Sequence, residues 1–493
     1  NRTSDDARKR QLFKNIIYVG VLSALIDMDV GAIETLIGEQ FRGKDTLIKP
    51  NLHALQLGRS WALQALECPL GLRLERRDKV GERIFVTGND AAALGAVYGG
   101  ATVCAWYPIT PSSSLAEAFA AHCHRYRRDP KTKKQRYAII QAEDELASIG
   151  MVIGAAWNGA RAFTATSGPG ISLMQEFIGL AYFAEIPAVI FDIQRGSPST
   201  GMPTRTQQAD LLACAYASHG DTKHVLLFPQ DPNEAFTFAA EALDLADRLQ
   251  TPIFVMLDLD IGMNDWLVPP LAWDPARGYD RGKVMTYEAL EAGAEFGRYL
   301  DVDGDGIPYR TYPGTHPERG AYFTRGTTKD RYARYTEEGG PYVDNMQRLM
   351  RKFETAKRLV PRPVRREAPG ASRLGGPTQF GAVYFGSTTL AMEEALEALA
   401  ERGIHLDTLR IRAFPFHDEI LDFIAAHERV FVVEQNRDAQ LRSLLTVEGE
   451  IDPAKLVPVL HYDGTPITAR FIVKAIADML AVVTLAPLRK ALP

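Results

Sequence analysis

A chain of 493 residues, 46% hydrophobic and 24% charged, has the make-up of an ordinary globular protein and is too long for one core, so about three domains are expected. A formal net charge of -5 offers no basic footprint for nucleic acid, and no uninterrupted apolar run approaches the ~20 residues of a membrane helix. The opening residues, Asn1 to Arg10, lack the apolar core of a signal peptide, so a cytoplasmic location is expected.

Runs 12–25, 30–41 and 51–66 space their apolar residues three and four apart, which predicts three amphipathic helices. Asp29 suits the cap of the second, and Gly43 follows its end. Three helices without a strand make a poor free-standing domain, so residues 1–70 read as part of one, and 69–82, rich in Arg, Lys and Asp, as a linker. A new domain, 83–265, opens with a short strand at 84–87 and an Ala/Gly-rich helix. Ala91, Gly95 and Gly99 recur every four positions there, which allows close approach of a neighbouring helix. The turn before that helix lacks G-x-G-x-x-G, which argues against a nicotinamide cofactor.

Four turns punctuated by Gly and Pro then follow short apolar runs: Tyr107 to Ser114, the turn at Glu143, Ser167 to Gly170, and Arg195 to Gly201. Strand-like runs at 137–141, 162–166, 188–193 and 252–257 alternate with helical stretches at 146–157, 173–184 and 232–249, as in a parallel sheet covered on both faces. In such a sheet the turns at the strands' carboxyl ends share one edge, where ligands bind.

Glu143 lies between an apolar strand and an apolar helix, where a carboxyl is poorly solvated and holds its proton longer, which suits proton exchange near neutral pH. The alternative is a helix N-cap carboxylate, since Glu143, Asp144 and Glu145 all stand near the helix start. Arg195, at a strand end, suits a two-pronged grip on a carboxylate, and Thr110, held between two prolines, offers a hydroxyl; a surface ion pair and an ordinary turn hydroxyl are the alternatives.

Residues 266–377 are irregular, crowded with Gly, Pro, Arg and Tyr, with one good helix at 343–359, and are expected to wrap another surface. Within them D-V-D-G-D-G, 301–306, places Asp301, Asp303 and Asp305 as in a calcium loop, but Tyr312 stands where the bidentate Glu belongs. It reads as a turn with Asp301, Asp303 and Asp305 as candidate ligands of a structural cation. The final domain, 378–493, alternates strands at 380–385, 406–411 and 430–434 with helices at 388–402, 418–427 and 469–480. Cys68, Cys104, Cys123 and Cys214 are too far apart for an iron-sulfur spacing, so any cluster must sit on another chain.

In their order and spacing Y-P-I-T-P-S-S (107–113), Q-A-E (141–143), T-S-G-P-G (166–170) and R-G-S-P-S-T-G (195–201) resemble the α chain of the 2-oxoacid:ferredoxin oxidoreductases. The continuation G-M-P-T-R-T-Q-Q-A-D-L (201–211) is similar to the 2-oxoglutarate branch, in which a γ-type domain is fused ahead of the α domains. The resemblance covers nearly the whole chain. It implies an α/β fold: 1–70 as the C-terminal part of a γ-type domain whose body would precede it, 83–265 as the parallel-sheet pyrimidine-binding domain of thiamine diphosphate enzymes, and 378–493 as a domain like the transketolase C-terminal one.

It further implies that Glu143 bonds the cofactor's aminopyrimidine, with Tyr107, Pro108 and Ile109 beside it. Thr110 and Arg195 would hold the substrate, and Arg205 the distal carboxylate of a dicarboxylic one. A β subunit would add the diphosphate site, Mg2+ and a [4Fe-4S] cluster, in an (αβ)2 heterotetramer. The implied reaction is reversible: 2-oxoglutarate and CoA give succinyl-CoA and carbon dioxide while ferredoxin is reduced. Pyruvate or branched-chain 2-oxoacids remain open as substrates, as does a non-catalytic scaffold of the same fold.

Overall fold

Apolar spacing of three and four produces the expected helices, α1 (Ala7–Leu25), α2 (Val30–Gln40) and α3 (Asp45–Ala65). Asp29 caps α2 by accepting from Gly31 N at 3.0 Å and Ala32 N at 3.4 Å. The helix expected from 51 starts earlier, at Asp45, and carries Pro50 inside it. The computed structural model describes residues 7–321, 324–368 and 378–490, and the chain divides into two units, Asn1–Gly81, which holds these helices, and Glu82–Pro493.

The second unit begins with β1 (Ile84–Thr87) and α4 (Gly88–Tyr98), followed by β2 (Val103–Trp106), α5 (Ser113–Tyr126), β3 (Ala138–Gln141) and α6 (Glu145–Trp157). Next come β4 (Ala162–Thr166), α7 (Gly168–Ala184), β5 (Ala188–Gln194), α8 (Leu211–Ala215), β6 (Val225–Leu227), α9 (Pro232–Leu249) and β7 (Pro252–Asp258). The expected alternation yields a parallel sheet ordered β6-β7-β5-β4-β2-β3, with a short antiparallel strand at its β6 edge. Its central strands, A-V-I-F-D-I-Q and P-I-F-V-M-L-D, are buried at every position, so neither shows alternation. Their polar residues, Asp192, Gln194 and Asp258, gather at the carboxyl ends.

β1 stands outside this sheet. It pairs antiparallel with β8 (Asp265–Val268), which follows α10 (Leu259–Met263), so the parallel ladder starts at β2. Helices α4, α5 and α9 cover one face of the sheet, and α6, α7 and α8 the other. The small-residue row of α4 serves the close packing read from it. A Cβ on Gly95 would stand 2.1 Å from Phe236 O, so α9 crosses where no side chain fits.

The irregular stretch holds α11 (Tyr287–Glu291), α12 (Gly339–Ala356) and β9 (Val364–Arg366), and it does wrap the sheet. Arg161, just ahead of β4, bonds Asp244 and Asp247 of α9 and the Asp280 carbonyl, while Arg310 takes the other oxygen of Asp247 at 2.8 Å. Farther along, Glu185 at the end of α7 is buried against Arg348 and Lys352 of α12, at 3.0 Å and 2.8 Å. The candidate cation ligands Asp301, Asp303 and Asp305 have partners within the chain. Lys283 Nζ takes Asp303 at 2.6 Å and Asp305 at 2.8 Å, while Asp301 accepts from Gly306 N at 3.1 Å. Among the described residues no three His, Cys, Asp or Glu stand close enough to hold a metal.

The last part supplies β10 (Phe380–Tyr384), α13 (Thr388–Ala400), β11 (Asp407–Arg410), β12 (Ala413–Phe414), α14 (Asp418–Ala426), β13 (Arg429–Glu434), α15 (Gln440–Glu448), β14 (Leu456–Leu460) and α16 (Ala469–Lys490). Strands β14, β13, β10 and β11 pair in parallel, and β9 closes the edge antiparallel. The short α15 and β14 lack a clear period and do not follow from the sequence. β12 leaves this sheet to pair with β6, and α14 and α15 share one core with α6, α7 and α8. Among the described residues no helix is long and apolar enough to cross a membrane.

The α4–α9 contact carries a test. Gly95→Val is expected to lower the thermal unfolding midpoint, with a destabilisation of about 1 to 3 kcal/mol or more. Gly154→Ala, in α6 with nothing within 4 Å, is expected to raise stability by roughly 0.5 to 1 kcal/mol. Equal shifts in the two variants would show that helix propensity, not the crossing, governs both.

Candidate active site

All the strands from β2 to β7 run in parallel, so their carboxyl ends lie along one edge. After β2 the chain moves outward to β3 and then returns past β2 to β4. Chain direction therefore reverses between β2 and β4, and a crevice opens outside such a switch point. The turns holding Tyr107 to Thr110 and Ser167 to Gly170 flank it.

The β2 turn is built by its own polar groups. Ser112 N and Oγ both donate to Ile109 O, at 2.9 Å and 3.0 Å. Buried Asn89 reaches in from α4, its Nδ2 donating to Pro111 O at 2.9 Å and to Ser114 Oγ at 2.8 Å. Asn89 escaped sequence reading because its signal is only a polar residue at the start of an Ala/Gly-rich helix. Tyr107, Pro108 and Thr110 are exposed, and Ile109 is half-buried.

Trp106 and Gln141 are register partners, and Ala142 N donates to Trp106 O at 2.8 Å. Tyr107 and Glu143 thus leave neighbouring strands close together. Glu143 is exposed, contrary to the poorly solvated setting expected for it, because β3 is an edge strand with no further strand beyond it among the described residues. The cap of α6 falls to Asp144, whose Oδ1 accepts from Ala147 N at 2.6 Å. Glu143 is thereby released from the capping role, and its carboxylate has no protein partner among the described residues.

Arg195 follows β5, is 5% exposed, and donates from Nη1 to Thr110 O at 2.5 Å. The structure therefore brings Arg195 and Thr110 together, through Thr110's carbonyl. Beyond Arg195 the turn folds back: Met202 N donates to Gly196 O at 2.8 Å and Gly196 N to Arg205 O at 2.9 Å. Gly201, at φ 49, lies so close that a Cβ would stand 2.0 Å from Gly196 O. Arg205 is exposed, and among the described residues its guanidinium bonds the neighbouring Thr204 carbonyl, at 3.3 Å.

Behind Arg195 lie two buried carboxyls absent from the candidates, Asp192 within β5 and Asp210 ahead of α8. Their signal was an aspartate inside an otherwise apolar run and a Q-Q-A-D stretch. Burial pushes Asp210 up to about 7 against the pull of Arg195, and burial together with Asp210 holds Asp192 well above the usual carboxylate range. Burial also draws Arg195 below its ordinary value.

An exposed carboxylate and an exposed Tyr107, leaving neighbouring strands at one edge, suit the ring half of an aminopyrimidine cofactor, and among the described residues no cluster of His, Cys, Asp or Glu would hold a metal-bound diphosphate. A cavity of about 890 Å³ between Tyr182, Lys223 and α12 shares none of these residues.

Comparison with known proteins agrees with this geometry. The family model described as pyruvate flavodoxin/ferredoxin oxidoreductase, thiamine diphosphate-binding, matches residues 94–355. The chain is 34% identical to 2-oxoacid:ferredoxin oxidoreductase 2, subunit alpha, of Aeropyrum pernix over 462 residues, covering 92% of this chain and 70% of that one. It is 35% identical to 2-oxoglutarate synthase subunit KorA of Methanocaldococcus jannaschii over 357 residues, 71% of this chain and 88% of the relative. Among solved structures, 2-oxoglutarate:ferredoxin oxidoreductase from Magnetococcus marinus, with 2-oxoglutarate, coenzyme A and succinyl-CoA bound, matches at a TM-score of 0.78 and 26% identity, covering 94% of this chain and 77% of that one. With a parallel α/β sheet, a switch-point edge carrying Glu143, Thr110 and Arg195, and these relatives, the chain belongs to the 2-oxoacid:ferredoxin oxidoreductases as an alpha subunit.

Proposed function

We propose that this chain is the α subunit of a 2-oxoglutarate:ferredoxin oxidoreductase and supplies the pyrimidine half of a thiamine diphosphate site. The observation that carries the reading is the buried Arg195 guanidinium bound to the Thr110 carbonyl at the same sheet edge from which the exposed Glu143 leaves β3. Thiamine diphosphate, when bound, supplies the carbanion that adds to a 2-oxoacid and the electron sink that lets carbon dioxide leave. Glu143 exchanges a proton with the aminopyrimidine ring nitrogen, and Tyr107, Pro108 and Ile109 line the ring. A second subunit over the β3 edge would enclose Glu143 beside the ring nitrogen it serves. Arg195 grips the substrate's C1 carboxylate with the nitrogens not spent on Thr110, and the Thr110 hydroxyl orients the substrate. Arg205 faces the distal carboxylate of 2-oxoglutarate.

In this reading residues 1–70 belong to a γ-type domain, 83–265 to the pyrimidine-binding domain, and 378–493 to the transketolase C-terminal-like domain. The remaining parts belong to a β subunit: the diphosphate and Mg2+ site and a [4Fe-4S] cluster that passes electrons to ferredoxin, in a cytoplasmic (αβ)2 assembly that uses CoA. The thiols of Cys104, Cys123 and Cys214 support this division of labour, because burial pushes each of them up and away from the thiolate a cluster needs. The names of relatives acting on 2-oxoglutarate favour that substrate over pyruvate and branched-chain 2-oxoacids.

Mixing tests the assignment most directly. The isolated chain is expected to be colourless and inactive, with 2-oxoacid-dependent ferredoxin reduction appearing when the β subunit is added; an iron-sulfur absorption band from this chain alone would contradict it. In the assembled enzyme Glu143→Gln is expected to keep the fold and lower turnover by roughly 10²- to 10⁴-fold. Wild-type exchange of the thiazolium C2 proton in that variant, followed by NMR, would remove Glu143 from its role. Arg205→Ala is expected to raise the KM for 2-oxoglutarate by roughly tenfold and leave pyruvate nearly unaffected. An equal loss for both substrates would mean that Arg205 serves the turn or the C1 carboxylate.

A further inference from the structure

The second sheet has a switch point of its own. From β10 the chain passes to β11 on one side and later to β13 on the other, so a crevice is expected outside the carboxyl ends of β10 and β13. Gln208, itself wholly buried, fills that crevice from within the chain. Gln208 N donates to Gln435 O at 2.8 Å, and its carbonyl accepts from Asn436 Nδ2 at 3.0 Å. Its side-chain Oε1 accepts from Gln435 N at 3.2 Å, while Nε2 donates to Asp258 Oδ2 at 3.0 Å and Phe385 O at 3.5 Å. Every polar group of Gln208 is thus engaged. The sense of its amide is set by Gln435 N, a backbone donor that can face only an acceptor. Gly386, at φ 60, leaves the space, since a Cβ there would stand 2.8 Å from Gln208 Nε2.

Gln208 ends the segment on which the Arg195 turn rests. Gly196 N donates to Arg205 O at 2.9 Å and Ser197 N to Gln207 Oε1 at 2.7 Å, so the turn leans on 205–207. The same segment meets the loop after β14: Thr206 N donates to Gly464 O at 3.2 Å, and a Cβ on Gly464 would stand 3.0 Å from Arg205 Cβ. We infer that Gln208 is a positioning residue for substrate binding: it plugs the switch-point crevice of the second sheet and so fastens the turn that begins at Arg195, with Gln207 as the strut between plug and turn. The C-terminal sheet then serves the site as the clamp of a substrate-binding turn, and its own crevice takes a segment of this chain in place of a small ligand. The inference rests on Arg195 holding the 2-oxoacid carboxylate.

A carboxylate grip works only where it is held, and a shift of about 1 Å in a positioning group can cost roughly 10²-fold in rate. Gln208→Glu replaces the Nε2 donor by an oxygen facing Asp258 Oδ2, so two acceptors meet in a buried place. Asp258→Asn alone sets two donors face to face, because Ile261 N already fixes Oδ1 as the acceptor. When both substitutions are made, amide and carboxylate exchange places. The amide at 258 donates to the carboxylate at 208, the formal charge of the crevice is unchanged, and Gln435 N and Ile261 N keep their acceptors.

The test uses the assembled enzyme with thiamine diphosphate and 2-oxoglutarate. Gln208→Glu and Asp258→Asn are each expected to lower kcat/KM by about tenfold or more, mainly through KM, and the double variant to recover it to within about threefold. Exchange of the thiazolium C2 proton, which calls on Glu143 and not on the Arg195 turn, is expected to stay as in the unmutated enzyme in all three. Gln207→Ala, which removes the strut alone, is expected to raise KM by about threefold or more. Wild-type kcat/KM in Gln208→Glu overturns the inference. So does a double variant no better than the single ones, and so does a loss of C2 exchange that matches the loss of kcat/KM, because that pattern reports damage to the whole fold. If the single variants do not assemble, a double variant that also fails to assemble, or an unchanged KM in Gln207→Ala, overturns it instead. Arg195→Ala separates the two levels: unchanged kcat/KM in that variant removes the carboxylate grip itself, whereas a loss there with wild-type kcat/KM in Gln208→Glu removes only the clamp.

Discussion

Parallel pairing of β2, β3, β4, β5 and β7 puts the last residue of each strand on the same edge, and the chemistry of this chain is assembled from what those ends hold out. A residue contributes to the site by standing one or two positions past a ladder partner, as Tyr107 and Glu143 stand past Trp106 and Gln141. The reversal of chain direction between β2 and β4 then parts two helices and leaves room for a ligand between the turns. Slipping β3 by one residue would turn its side chains to the opposite face and carry Glu143 away from Tyr107.

The sheet is held to that register by burial on both faces. Each fully buried Val, Ile, Leu or Phe contributes roughly 1.5 to 3 kcal/mol, and β5 and β7 are lined with them. Charged residues do a different job at the opposite edge. Arg161 with Asp244 and Asp247, and Glu185 with Arg348 and Lys352, are buried ion pairs whose net contribution to stability is small, yet losing one partner would cost about 3 to 5 kcal/mol. Their effect is to determine where the irregular 266–356 stretch lies, which apolar contacts alone would not specify. Among them Glu185 is held far below the usual carboxylate range by Arg348 and Lys352, whose charges outweigh the cost of its burial.

A similar logic operates at the active edge with the opposite outcome. Asp258 is buried but accepts from Gln208 at 3.0 Å, Ser387 at 2.5 Å and Ile261 N at 3.1 Å, which joins the end of β7 to the start of α13. Asp192 and Asp210 are buried without comparable partners. A carboxyl satisfied by donors fixes structure, whereas one buried with an oxygen unsatisfied holds its proton more tightly.

Periodicity and punctuation were enough to place most elements. The 3.6-residue rows of α1, α2 and α9, the buried runs of β5 and β7, and the Gly/Pro turns after β2, β4 and β5 are local properties, encoded within a dozen neighbouring residues. The chemical types of Thr110, Glu143 and Arg195 were equally legible, because each follows a strand end within a few residues. Short elements without a period, α15 and β14, were not legible, nor was the pairing of β1 with β8 rather than with the parallel sheet. Only the tertiary structure decided that Glu143 is exposed while Asp144 caps α6, that Arg195 spends a nitrogen on the Thr110 carbonyl, and that Lys283 pairs with Asp303 and Asp305 of the calcium-like loop. Each depends on groups between 3 and 85 positions apart in the chain, and a side chain's solvation and partners are set by what packs beside it in space rather than by its sequence neighbours.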